Sequence, residues 1–241
     1  MFPLKDDNPT RSVAVMTWSL ILVNVVVFLY QVSLGPRQEQ QFIYEYGAIP
    51  AVVFGYQSLP GYLAAIPAQL SLFTSMFLHG GWLHLIGNMW YLWIFGDNIE
   101  EAMGHLKYVA FYLICGMIAS VSHVLSNPES VLPSIGASGA ISGVLGAYLM
   151  LYPRARVLVL IPLGFFMRIL YIPAGFVLGF WFVLQLLSGS MSGGQDGGGV
   201  AFWAHIGGFL AGMLLVGLFK KREVRFFNPP LYRSGTYADW Q

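Results

Sequence analysis

Charge is what this sequence has least of. Only 10% of its 241 residues are Asp, Glu, Lys or Arg, against 56% hydrophobic. A water-soluble domain carries about a quarter charged residues, so a surface facing mostly water is excluded and lipid is the implied solvent. Cysteine is nearly absent. Cys115 alone excludes an internal disulfide, and one thiolate cannot hold a zinc or iron–sulfur site. Residues 1–11 are polar and of mixed charge, and the apolar run after them is too long for a signal h-region, so that run is expected to remain as a first span.

Long apolar runs are what the chain does have. Six of them approach the roughly 20 residues a helix needs to cross a ~30 Å hydrocarbon core: 13–32, 79–96, 106–125, 134–152, 170–187 and 200–219. A seventh, 157–167, contains Pro162 and Gly164 and is too short to span; it is expected near the interface as part of a connection. The expected fold class is therefore all-α, a polytopic membrane protein built as a compact bundle of six transmembrane helices. With both termini inside, eleven of the twelve basic residues fall on the inner side and only Arg37 on the outer. That bias is the one membranes impose, and five or seven spans would scramble it. Residues 1–11 are then a cytoplasmic N-terminal tail, 12–219 the core, and 220–241 a cytoplasmic C-terminal tail. The last opens KKREVR, suited to an anionic inner leaflet rather than to nucleic acid. The first outer loop, 34–78, is long and keeps apolar pieces interrupted by Pro60 and Pro67, as short membrane-associated helices would. The last outer loop, 189–199, is glycine-rich and reads as a tether or cap.

Polar side chains deep in such runs are costly and need a reason. The fourth run holds Gly136-Ala137-Ser138-Gly139-Ala140, the sixth Ala204-His205-Ile206-Gly207-Gly208, and the second His79 followed by His84 and Asn88. All three runs enter from the outside. At 1.5 Å per residue Ser138, His205, His84 and Asn88 then share a layer about 5–15 Å below the outer surface. Gly139, Gly143 and Gly146 on one helix and Ala204, Gly208 and Gly212 on another form small-residue faces that allow close packing in lipid. Such a contact would bring the serine hydroxyl to the imidazole, the geometry that activates a weak nucleophile. His84 and Asn88, four apart, share a helix face and can both donate toward a developing oxyanion. None of the eleven acidic residues lies in an apolar run at that depth, so the expectation is a Ser-His dyad without a carboxylate. Taken singly, each motif reads more blandly: a G-x-S-G string packs helices, and a buried histidine hydrogen-bonds. Shared depth and the flanking small residues are what favour chemistry. Trp82, Trp90, Trp93, Trp181 and Trp203 read as interface or lipid-facing aromatics.

Together the three segments resemble the rhomboid intramembrane serine proteases, over roughly residues 12–219. The resemblance implies Ser138 as nucleophile, His205 as general base, and His84 and Asn88 as oxyanion stabilisers. It assigns structural support to His79, Gly136, Gly139 and Gly208. It further implies hydrolysis of a peptide bond in or next to the transmembrane helix of a membrane-protein substrate, with no metal and no cofactor. Substrate entry would be lateral, between the second and fifth spans. The site would open to the outside of a membrane expected to be a prokaryotic cytoplasmic one. Two features depart from the family pattern: no tryptophan lies between Trp18 and Trp82, and Ser142 stands where some members have a tyrosine stacking on the histidine. The oligomeric state is left open.

Overall fold

The computed structural model describes residues 1–163, 166–191 and 201–228. The chain is mostly helical. Four helices are long and apolar enough to cross a membrane: α1 (Val15–Ser33), α6 (His105–Ser126), α8 (Ala174–Met191) and α9 (Phe202–Phe219). A fifth span is possible through α5 (Trp82–Met103), which meets the preceding segment Gly61–Phe77 at a 78° bend. The remaining apolar helix, α7 (Ser138–Leu151), has only 14 residues, about 21 Å of rise. Every residue from Gly139 to Tyr148 in it is buried, so the surrounding helices rather than lipid satisfy its surroundings. Apolar side chains such as Leu22, Val26, Phe176, Leu187, Leu214 and Leu218 face outward, a surface suited to lipid and not to water.

Between α1 and α5 the long connection folds into short helices, α2 (Pro36–Tyr46), α3 (Pro50–Val53) and α4 (Ala68–Thr74). Proline starts α2 and α3, where its missing N–H costs nothing. Gly104, with φ +83°, separates α5 from α6. Just before it, Glu100 on α5 accepts from the backbone N–H of Met16 (2.9 Å) and Thr17 (2.7 Å), capping α1 from another helix. Its carboxylate also takes the Thr17 hydroxyl at 2.7 Å.

One part of the expected class needs correcting: the molecule is not wholly α. The run beyond α7 is a hairpin, β2 (Arg156–Leu163) with β3 (Phe166–Pro173), Arg156 pairing with Pro173 and Leu163 with Phe166. The N-terminal segment joins this hairpin. Residues Phe2–Asp6 form β1, antiparallel to β2 with Phe2 opposite Leu160, giving the order β1-β2-β3. Val157 and Val159 point inward and are fully buried. The fifth apolar run accordingly enters its helix at Ala174 rather than at residue 170. Most of the glycine-rich connection expected at 189–199 lies outside the described residues.

Candidate active site

The site is built where α5, α7 and α9 begin. The pairs Gly139–Gly208, Gly143–Gly212 and Gly146–Met213 step along α7 and α9 in the same direction, so these helices are parallel neighbours. A Cβ on Gly208 would stand 2.0 Å from the Gly139 carbonyl oxygen, and one on Gly212 1.9 Å from that of Gly143. The contact is backbone against backbone, and only glycine permits it. Ser138 opens α7 and His205 lies one turn into α9, so this approach sets the two side chains face to face. His205 Nε2 is 2.7 Å from Ser138 Oγ.

α5 supplies the other side. His84 Nδ1 accepts the backbone N–H of Gly80 at 3.2 Å, which leaves Nε2 as the protonated, donating nitrogen. That nitrogen faces Gly136: a Cβ there would meet His84 Cε1 and Nε2 at 2.8 Å, and Ser138 Oγ at 3.7 Å. Gly136 also has φ +128°, a conformation that L side chains rarely adopt. Asn88, one turn beyond His84 on α5, is buried and its Nδ2 has no hydrogen-bond partner. The opening turn of α7 adds backbone N–H groups, since the first intrahelical bond there is Ile141 N–H to Ala137 O. A cavity of about 20 Å³, enough for about one water, lies beside Ser138 between Gly136, Ser75 and Ser120.

His79 is fully buried, its ring 5.1 Å from that of His84 and 6.4 Å from Phe28. Its backbone is held by Gln31 of α1, whose Nε2 donates to the His79 carbonyl at 2.6 Å. Ser142 Oγ donates to the Ser138 carbonyl at 2.6 Å, one turn back along α7. Gly139 packs on Ala119, where a Cβ would have 2.6 Å.

Two residues of α8 were not expected at the site. Gln185 Oε1 lies 2.7 Å from His205 Nδ1. Trp181, one turn earlier on the same face, holds its ring 5.8 Å from the imidazole and 5.9 Å from Phe209, so it is no simple lipid-facing aromatic. An inventory of acids misses Gln185, yet it interrupts an otherwise apolar stretch, 176–187, and that interruption was the available signal. Among the described residues no group of three or more His, Cys, Asp or Glu side chains could hold a metal.

Comparison with known proteins bears on the whole arrangement. The Rhomboid domain family model matches residues 67–222. Rhomboid-like protein 11, chloroplastic, of Arabidopsis thaliana is 31% identical over 163 residues, 64% of this chain and 54% of that protein. Rhomboid protease GluP of Bacillus subtilis is 34% identical over 155 residues, 63% of this chain and 28% of its own length. Presenilin-associated rhomboid-like protein A, mitochondrial, of Danio rerio is 31% identical over 188 residues, covering 69% of this chain and 45% of that one. The chain thus spans about half the length, or less, of these relatives. The family match takes in well over half of the chain and encloses all three site segments, so this integral membrane protein belongs to the rhomboid family.

Proposed function

We propose that the protein is an intramembrane serine endopeptidase, cutting a peptide bond in or near the transmembrane helix of membrane-protein substrates. The observation that carries this reading is the 2.7 Å contact between Ser138 Oγ and His205 Nε2 at the start of two closely packed helices. In the proposed reaction His205 takes the hydroxyl proton as Ser138 Oγ bonds to the scissile carbonyl carbon. His84 Nε2–H, Asn88 Nδ2–H and the Ser138 amide hold the resulting oxyanion in a low-dielectric site, where such donors are worth most. His205 then gives the proton to the departing amine as the C–N bond breaks. Water, deprotonated by the same imidazole, attacks the acyl-enzyme, and Ser138 regains its proton. No step draws on a metal or cofactor.

The membrane arrangement belongs to the same proposal. α1, α5, α6, α7, α8 and α9 form six membrane-embedded segments with both termini cytoplasmic and the site in the outer half. The substrate enters between α5 and α8 and unwinds, because a helical backbone hides its carbonyls from attack. The named relatives come from chloroplasts, mitochondria and a bacterium, and a bacterial-type cytoplasmic membrane is the setting we assign.

The test is direct. In detergent or liposomes the wild-type chain should label at Ser138 with a fluorophosphonate and cleave a model transmembrane substrate. Ser138→Ala should lose both while keeping the wild-type melting temperature. Undiminished cleavage by Ser138→Ala would end the proposal.

A further inference from the structure

We infer that Gln185 is a positioning residue for the base: its carboxamide oxygen fixes His205 in the one tautomer that can activate Ser138. The inference rests on the protease reading above and extends it from two residues to three on three different helices.

A neutral imidazole has one donating and one accepting nitrogen. To take the serine proton, Nε2 must present its lone pair, so the ring proton must sit on Nδ1. Nδ1 faces Gln185 Oε1 at 2.7 Å, and an amide oxygen can only accept. With that oxygen inward, Nδ1 carries the proton and Nε2 accepts from Ser138 Oγ, also at 2.7 Å. With the amide turned over, its NH2 would donate to Nδ1; the ring proton would move to Nε2 and the serine would be left without a base. Gln185 therefore selects between a competent and an incompetent dyad.

The rest of the environment restricts the ring to this choice. Trp181 lies against the imidazole from the same face of α8, limiting rotation. His84 from α5 and His123 from α6 are the other ionisable side chains close enough to interact with it. A neutral amide also suits the depth: a carboxylate in that place would be a charge inside an apolar span. Aspartate and asparagine play the corresponding part in other hydrolytic sites, where loss of the correct tautomer costs far more than the hydrogen bond itself.

The location of this group has a consequence. Only Ala174, Val177, Leu178 and Gly189 of α8 are buried, so it is lightly held against the bundle. Displacing α8 from α9 would remove Gln185 from Nδ1 and release the tautomer. Docking of α8 and competence of the base are thus one event.

Nitrogen-15 NMR of histidine-labelled protein reads the tautomer directly, and kinetics on a transmembrane substrate read its effect. The wild type should show His205 protonated at Nδ1. Gln185→Leu should lose that preference and drop kcat on the order of 100-fold with KM within about twofold, the size of a general-base contribution. Gln185→Glu, which keeps an acceptor oxygen at the same place but is less suited to that depth, should recover part of kcat and the Nδ1-protonated tautomer. A merely structural role would move stability and KM instead. An Nε2-protonated His205 in the wild type, or full kcat in Gln185→Leu, would overturn the positioning role and leave the protease reading standing. Absence of fluorophosphonate labelling at Ser138 in the wild type would overturn the protease reading, and this role with it.

Discussion

Gly136 shows how narrowly the site is specified by single atoms. Its φ of +128° turns the chain into α7, and its missing side chain leaves room for the imidazole of His84. Gly136→Ala adds a methyl 2.8 Å from two atoms of that ring, so His84 must swing away from the position its bond to Gly80 dictates. The expected outcome is a loss of Ser138 labelling on the order of 100-fold, comparable to deleting one oxyanion donor. Labelling rate and thermal melting measured together check this, and a variant that labels like the wild type would refute it. At this scale the sequence was informative wherever a polar residue stood out against apolar neighbours. Ser138, His205, His84 and Asn88 stand out by charge-bearing or strongly polar chemistry combined with depth. Gln185 is absent from an inventory of acids because lipid depth favours a neutral amide over a carboxylate.

Among the elements, the α7–α9 pair is the one on which the site depends. Its spacing of small residues is a local code, legible without any knowledge of the partner, because glycine four apart always makes one bare helix stripe. Substitution far from the chemistry should therefore still reach it. Gly212 lies seven residues beyond His205, about two turns away, yet a Cβ there stands 1.9 Å from the Gly143 carbonyl oxygen. Backbone cannot step aside as a side chain can. Gly212→Val should force the helices apart, cost about 1–3 kcal/mol as overpacking does, and slow Ser138 labelling. Gly217→Ala on the same helix is the control: its nearest contact is the Phe226 ring at 3.4 Å, and it should behave as wild type. Differential melting and probe labelling of the two variants separate a helix-contact effect from a general intolerance of α9. The β-sheet, by contrast, was not legible. After Arg156 the run VLVLIPL is apolar throughout, so the alternation that marks a strand appears only in burial, at Val157 and Val159. Its partner β1 lies some 150 residues earlier in the chain, and no local pattern encodes that pairing.

Across the whole molecule, chemistry and anchorage sit at opposite ends of α7. Ser138 begins the helix, while Tyr148 near its other end donates to Asp6 Oδ2 at 2.5 Å and so ties β1 to the bundle core. The same segment is stitched to α5 by Trp90 Nε1 donating to the Pro3 carbonyl at 2.7 Å and Asn98 Nδ2 to the Asn8 carbonyl at 3.0 Å. What composition marks as a polar tail is a strap across the base. Its hold depends on pH through Asp6. Burial pushes this carboxyl up from 3.8 to about 7, the Tyr148 hydroxyl opposing that rise and the nearby Asp97 and Asp7 carboxylates adding to it. Because the docked strap binds this proton more tightly than the undocked one, docking is strongest at pH below about 4, where the carboxyl is protonated in both states. Stability then falls as pH rises from about 4 through about 7, and flattens above it. Hydrogen exchange of residues 1–12 should accordingly be slower at pH 5 than at pH 8 once the intrinsic rate is divided out. Asp6→Asn, neutral at both, should show the same protection at the two pH values, while Ser138 labelling at the far end of α7 stays unchanged. Equal protection of the wild type at pH 5 and pH 8 would mean that Asp6 is already ionised beneath the bundle, and that its protonation adds nothing to the hold of the strap.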